Sequence, residues 1–481
     1  MIDIAHNKGA MRSGDYGSGI ASIRSLMEEW DTLCDLCLPI VPRNSIWRYS
    51  RGGVPDDLDQ GWKIHISATV LSASQVLRSV APLLTRSGVL FKAPRSLREL
   101  KRLNCGLFYG FEQVGKVITI YPKSDRQAVS LAHKLERLTA GMPGPRIPFD
   151  FQLRKNSKVH YRYGSFRARK TVVRKGKRLS TIITPDGKLV PDFRGAKATV
   201  PSWTKDPFRD RDHLSEKPSR DGPLGTTLLA YELISRRGKG GVYRALDLSV
   251  SPARLCVLKE GKAHGETGFD GRDGYWRITH EERALSSLRS MAVDVPQVFD
   301  SFVAGNNYYL VLELIEGKTL EFLLWEQRSK LPITDAIRYG LRLSKLLQTI
   351  HRAGWVWRDC KPLNLILCDD GSMRPVDFEG ACTVKSPDMT GWGTEGYVPP
   401  EWLEDPTEIS RVPQDLFALG AVLHQLFSAR RPDRTYPVPP IGRLRRSVPP
   451  LIRETITGLL DSDPKSRPNA NFVARTLESF M

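Results

Sequence analysis

The segment VWRDCKPLNLIL, residues 356–367, places an Asp, a Lys and an Asn at positions 359, 361 and 364. Phosphoryl transfer asks for a carboxylate that orients the attacking hydroxyl, a cation that steadies the transferring group, and oxygen ligands for Mg²⁺. Asp359, Lys361 and Asn364 fit those roles in turn, and Asp377 in VDFEG supplies a second metal ligand. Upstream, Lys259 in CVLKE sits on a strand-like stretch from which it can reach phosphate oxygens. Glu281 in HEERALSSL, on the next helical stretch, can hold that lysine by an ion pair. Gly238, Gly240 and Val242 in ISRRGKGGVYRA belong to a loop suited to cover a nucleotide, and Glu313 in YYLVLELIEG joins the nucleotide-binding set. GKGG alone is an ordinary turn and a lone strand lysine usually faces water; the order of the parts gives them weight. Cys360, beside Asp359, reads as a small packed side chain rather than a reactive thiol.

A second constellation lies in the N-terminal half. In WKIHIS, Lys63 and His65 are two apart and share one face of a strand, while Trp62, Ile64 and Ile66 take the other. Alone this is an amphipathic strand showing water its polar side. Lys92 in VLFKAPRS, Lys116 in GKVITIYP, Arg146 in GPRIPFDF, and Arg162 and Tyr163 in VHYRYGSF change that reading. A pocket holding several of these cations binds a phosphate ester and pushes one lysine toward its neutral form, because neighbouring like charges disfavour ionisation. A neutral Lys beside a protonated His suits β-elimination from phosphoserine: one removes the α-proton, the other protonates the departing phosphate oxygen.

Elements able to position these groups are legible from periodicity. WKIHIS, VLFKAP and KVITIYP alternate like strands, and SATVLSASQVLRSVAPLLTRS has helical spacing. DRQAVSLAHKLERLTAG is a second helix, with Gly141 as its C-terminal stop. TVVR, STIIT and KLVP are short strands between KGK and PDG turns. Residues 201–225, rich in Pro, Gly and charge, form the expected linker. Strand-like LLAYELI, VYRALDL and RLCVLKE follow, then a helix over Trp276 to Ser290, then YYLVLELIEG, and mostly helix from Thr334 onward.

Residues 226–481 resemble the protein kinase family, and the likeness extends beyond the catalytic positions. GTEGYVPPEW resembles the end of an activation segment, with Glu401 as its buttressing glutamate; Asp415 in QDLFALG matches the Asp that braces the catalytic loop, and Arg467 in DPKSRP the Arg that pairs with Glu401. Three positions depart. Ser235 and Arg237 stand where the loop usually has glycines, so it is expected to clamp nucleotide less closely; Trp357 replaces the His before the catalytic Arg-Asp; and Glu379 replaces the Gly that follows Asp-Phe.

Residues from Trp62 to about Pro207 resemble the phosphoserine/phosphothreonine lyase domain of class III and class IV lanthionine synthetases, itself similar to bacterial effector phosphothreonine lyases. The K-x-H strand, the later FK, the GKxITIYP strand, the YRYG strand, and PDGKLVPDFR leading into PSWTKDPF carry the likeness. It implies Lys92 as general base, His65 as general acid and Lys63 as phosphate ligand, with Arg146, Arg162 and Tyr163 in support. The fold expected is α+β: an N-terminal segment over 1–60, an α+β domain of the phosphothreonine lyase (OspF-like) type over 61–200, the linker, and a bilobal kinase with its small lobe at 226–316 and large lobe at 317–481. The function implied is peptide dehydration: ATP or another nucleoside triphosphate with Mg²⁺ phosphorylates Ser or Thr of a ribosomal precursor peptide, and elimination gives dehydroalanine or dehydrobutyrine. Because the chain stops soon after the kinase, ring closure is expected of a separate cyclase, if it occurs at all. The rivals are a kinase whose N-terminal domain only docks a substrate or regulator, and a basic pseudokinase scaffold that binds nucleic acid.

Bulk properties bound these readings. A chain of 481 residues divides into two or three folded units, and 40% apolar with 26% charged residues is a globular composition. Lys and Arg exceed Asp and Glu by 72 to 53, which calls for an anionic partner. The basic run FRARKTVVRKGKRLS lacks the interleaved aromatics of a base-stacking arm, so nucleic acid is not the expected partner. Seven cysteines suggest no disulfide framework, and Cys34 and Cys37 in CDLC lack the partners of a zinc site and lie along a helix. No apolar run is long enough for a membrane span and no secretory signal opens the chain, so a cytoplasmic location is expected.

Overall fold

The computed structural model describes residues 16–167, 172–174, 177–192, 198–208, 222–327, 329–388, 391–401, 411–432 and 438–481. Most of the expected linker and much of the basic run lie outside those residues.

The N-terminal body is a six-stranded antiparallel sheet backed by helices. Its elements are α1 (Tyr16–Cys37), β1 (Trp47–Tyr49), β2 (Gln60–Ile66), α2 (Ala73–Arg86), β3 (Leu90–Pro94), α3 (Leu97–Cys105), β4 (Ile118–Tyr121), α4 (Asp125–Leu138), β5 (Phe151–Gln152) and β6 (Val159–Ser165). The strand order is β1-β3-β4-β2-β6-β5. Alternation decides which face each residue takes. Trp62, Ile64 and Ile66 enter a core with Phe91, Ile118, Ile120 and Tyr161, closed by Val76, Leu77, Leu84, Leu131 and Leu135 of α2 and α4. Ser96 and Ser124 cap α3 and α4 by accepting from the N–H groups of Glu99 and Gln127. Residues 16–60 also belong to this body: Trp30, Cys34 and Leu38 are buried in its core, and β1 pairs with β3. Short strands β7 (Val172–Arg174), β8 (Lys177–Leu179), β9 (Thr181–Ile183) and β10 (Leu189–Pro191) form two hairpins beyond the sheet.

The C-terminal body has two lobes. In the first, β11 (Leu228–Arg237), β12 (Gly240–Asp247), β13 (Arg254–Gly261), β14 (Val298–Ala304) and β15 (Asn307–Glu313) form a sheet in the order β11-β12-β13-β15-β14, and α5 (Gly274–Ser290) packs against it. The second is mostly helical: α6 (Leu320–Glu326), α7 (Ile333–Arg352) and the almost wholly buried helix Val412–Ser428 share one core with α5. No helix among the described residues is long and apolar enough to cross a membrane.

Candidate active sites

In the N-terminal sheet, register brings residues distant in sequence onto one face. Lys63 pairs with Arg162 and His65 with His160 across β2 and β6; His65 also pairs with Thr119 of β4, and Thr119 with Lys92 of β3. Lys63, His65, Lys92, Lys116 and Arg162 thereby line one cavity of about 260 Å³, closed by Trp47, Leu103, Tyr109, Gln113 and Tyr121. The cavity wall is strongly cationic, as a phosphate ester would require.

Buried carboxylates that sequence reading missed fix these cations. Asp150 Oδ2 lies 2.6 Å from His65 Nδ1, and its Oδ1 is 3.1 Å from Lys116 Nζ. Burial alone would raise the Asp150 carboxyl, but Lys116 and His65 outweigh it and hold that group well below the usual carboxylate range. His65 is pushed down to about 3 by burial first, with Lys116 and Lys63 adding to the effect and Asp150 opposing it. Asp192 takes Arg162 by both guanidinium nitrogens and also accepts from Ser165 N–H at 3.3 Å. Trp47 was missed too: Lys92 Nζ stands 4.1 Å from its ring centroid and 5.8 Å from that of Tyr49. Asp150 stands in GPRIPFDF, the segment read for Arg146, but neither it nor Asp192 nor Trp47 carries a local pattern that names its partner.

Two expected residues stand elsewhere. Tyr163 follows Arg162 on β6 and therefore takes the opposite face, where it packs edge-on against Trp62 at 5.5 Å. Arg146 is exposed on the segment after α4 and does not line the cavity.

In the C-terminal body the phosphoryl-transfer constellation is assembled between the lobes. Both carboxylate oxygens of Glu281 lie 2.7 Å from Lys259 Nζ, and Phe378 N–H donates to one of them at 2.9 Å. Asp377 Oδ1 stands 3.5 Å from the same lysine. Burial would lower Lys259, yet Asp377 and Glu281 overcome it and hold the lysine charged. Asp359 accepts from Lys361 Nζ at 2.6 Å, from Asn364 Nδ2 at 2.9 Å and from Thr394 at 2.8 Å. Burial, and then Asp377, push the Asp359 carboxyl up, as suits a proton acceptor. Asn364 Nδ2 being used by Asp359, its Oδ1 is the atom offered to a cation. With Asp377 it forms the hard oxygen donor set that Mg²⁺ favours.

Two of the three sequence departures acquire partners. Trp357 stacks on Phe378 at 5.4 Å and donates through Nε1 to Asp377 O at 3.0 Å, so the indole braces the Asp377–Phe378 segment. Glu379 forms an ion pair with Lys239 at the tip of the glycine loop. Gly240, at φ +153°, lies where a Cβ would meet Glu260 O at 1.7 Å; there glycine is obligatory even though Arg237 is tolerated. The Glu313 carboxylate grips Arg374 by two hydrogen bonds and accepts from Gln297 N–H at 3.0 Å. Cys360 is buried and its thiol is pushed far up by burial, consistent with a packing role. The scaffold pairs also form, Arg467 with Glu401 at 2.7 and 2.8 Å, and Asp415 with the N–H groups of Trp357 and Arg358 at 2.8 and 2.7 Å.

Residues 41–220 match the family described as RamC, N-terminal domain, and residues 256–476 match the protein kinase domain. The chain joins a RamC N-terminal domain to a protein kinase domain. This order of domains is the one its sequence motifs anticipated. It is 32% identical to a probable SapB synthase of Streptomyces coelicolor over 360 residues, which is 72% of this chain and 38% of that protein. The serine/threonine-protein kinase PknL of Mycobacterium tuberculosis is 29% identical over 219 residues, 45% of this chain and 52% of that one. The serine/threonine-protein kinase PkaA of Streptomyces coelicolor is 28% identical over 284 residues, 53% and 50% of the two chains. The RamC–kinase chain therefore spans about two fifths to a half of the length of these relatives.

Proposed function

We propose that this RamC–kinase chain dehydrates Ser and Thr of a ribosomal precursor peptide in lanthipeptide-type biosynthesis, in two steps at two sites. At the kinase site, Asp359 orients the peptide hydroxyl and takes its proton as the oxygen attacks the terminal phosphorus of ATP or another nucleoside triphosphate. Lys259, held by Glu281, binds phosphate oxygens, and Lys361 stands beside the transferring group. Asn364 and Asp377 would hold Mg²⁺, which neutralises phosphate charge.

At the second site the ester is removed. Lys63, Lys116 and Arg162 bind the phosphate, Lys92 takes the α-proton, the Cα–Cβ double bond forms, and the Cβ–O bond breaks with its electron pair leaving on phosphate. His65 protonates that oxygen through Nε2, its Nδ1 being held by Asp150. In the free cavity His65 is neutral; the negative charge of bound phosphate offsets Lys63 and Lys116 and returns a proton to the ring. Phosphate leaves far more readily than hydroxide, which is why the first step enables the second. A phosphothreonine lyase-type fold belongs to the same reading.

The observation that carries the proposal is the convergence of Lys63, His65, Lys92, Lys116 and Arg162 on one cavity in a chain that also holds an assembled kinase site. Mass spectrometry of a Ser/Thr-rich precursor peptide, incubated with nucleotide and Mg²⁺, tests it. Wild type should give product lighter by one water per site. Lys92→Ala should accumulate phosphopeptide, with elimination slowed by at least about 100-fold. Asp359→Ala should leave the peptide unmodified yet eliminate phosphate from a supplied phosphopeptide. Stable phosphopeptide as the only wild-type product would favour the rival, a kinase with an N-terminal docking domain.

A further inference from the structure

Many kinases order their activation segment by adding a phosphate, which arginines then grip. In this chain two arginines already grip a carboxylate that the sequence itself supplies. Arg358, immediately before the catalytic Asp359, has a fully buried side chain; its Nη1 donates to Asp388 Oδ2 at 2.8 Å and to Gly380 O at 3.0 Å. Arg272, from the loop leading into α5, donates to the same Asp388 oxygen at 2.5 Å and lies over the Trp276 ring at 4.3 Å. Asp388 thus sits between the catalytic loop and the helix that carries Glu281.

Both sides of that junction are fixed in turn. On one, Asp415 holds the Arg358 N–H, and the backbone there turns through φ +71°, so the next residue, Asp359, emerges in a set direction. On the other, Trp276 stacks on His280 at 4.8 Å, and His280 Nε2 meets Ala381 O at 2.6 Å, one residue before Glu281. The Lys259–Glu281 pair and the Asp359–Lys361–Thr394 cluster on either side of that junction are both complete.

We propose that Asp388 is a positioning residue whose permanent charge replaces an added phosphate, so that the kinase half transfers phosphoryl groups without first being phosphorylated itself. A carboxylate is smaller than a phosphate and carries one charge, but two guanidinium groups here share one of its oxygens, which the short arm of an aspartate brings close enough. The inference rests on the phosphoryl-transfer half of the proposed function and is independent of the elimination half.

The test uses the full chain, treated with phosphatase and confirmed as unphosphorylated by intact mass. Nucleotide turnover is followed as diphosphate release with a mixed Ser/Thr peptide pool. Unphosphorylated wild type should turn over at the rate of untreated protein. Asp388→Asn should lower kcat by about 10- to 100-fold, the usual consequence of a displaced catalytic group, with KM for nucleotide and the melting temperature little changed. Asp388→Glu should recover most of kcat. The proposal is overturned if Asp388→Asn keeps wild-type kcat, if Asp388→Glu is no better than Asp388→Asn, or if wild type works only once Thr383, Ser386 or Thr394 is phosphorylated. Wild type inactive in every state would instead bring down the phosphoryl-transfer reading, and the role of Asp388 with it.

Discussion

His65 shows what a single side chain gives up to sit in a cationic cavity. In the folded chain it is held near 3 by burial, whereas in the unfolded chain it titrates at about 6.5. Between those values the unfolded chain binds a proton that the folded chain refuses, so the stability tied to His65 is complete above pH 6.5 and is lost as pH falls toward 3. At pH 5 that loss is about 2 kcal/mol, from about 1.4 kcal/mol per unit over one and a half units. His160, buried and lowered to about 4, adds a loss of the same sign, so the whole chain should soften in acid by more than His65 alone explains. The measurement is urea unfolding at pH 7 and pH 5 for wild type and His65→Gln. Wild type should lose about 2 kcal/mol more than the variant across that interval, and equal losses would show that His65 is not held neutral. The cations of this cavity were legible in sequence because each sits in a short alternating stretch. Asp150 and Asp192 were not, since a lone acidic residue in a loop looks like any solvated one until the fold carries it 85 or 30 residues back to its partner.

Among elements, alternation was readable and register was not. The period of two placed Lys63 and His65 on one face and Trp62 on the other, and it equally forbids Arg162 and Tyr163 from sharing a face. Which strands neighbour β2 depends on pairings with β4 and β6 that no local pattern encodes. The glycine loop between β11 and β12 gives a prediction at this scale. Its lysine, Lys239, pairs with Glu379, and the two groups hold the loop down over the cleft where, on the proposed reading, nucleotide phosphates would bind. Burial would lower Lys239, but Glu379 and Asp377 outweigh it and hold the ammonium charged. A triphosphate must therefore take Lys239 from Glu379, and the two substitutions should act in opposite directions. Lys239→Met should weaken nucleotide binding by about tenfold, the worth of one charge-assisted hydrogen bond, whereas Glu379→Gln should tighten it by freeing the lysine. Equilibrium titration with a fluorescent nucleotide in the absence of Mg²⁺ reads both, and a shift in the same direction for the two variants would refute the competition.

Across the whole molecule, one segment touches both sites. Leu103, Tyr109 and Gln113 line the cationic cavity, while Asn104, Cys105 and Phe111 beside them meet the kinase glycine loop. Gly238 N–H donates to Cys105 O at 2.8 Å, and Arg236 and Lys262 approach the Phe111 ring at 5.3 and 5.1 Å. Asn104 cannot give way easily: it is buried, donates to Ala68 O at 3.2 Å and accepts from Gly115 N–H at 3.0 Å, next to Lys116. A Cβ at Gly238 would lie 1.7 Å from Asn104 O, so Gly238→Ala must push the loop and the α3 end apart. Because their immediate neighbours Leu103, Tyr109 and Gln113 wall the cavity, the strain should reach both reactions. Gly238→Ala should slow phosphorylation of peptide and also slow elimination from a supplied phosphopeptide, each by about tenfold if a wall shifts by a fraction of an ångström. Asp359→Ala provides the contrast, since it should abolish phosphorylation and leave elimination untouched. Elimination at the wild-type rate in Gly238→Ala would mean that the segment separates the two sites instead of linking them, and the domains would then be partners only through the peptide they pass between them.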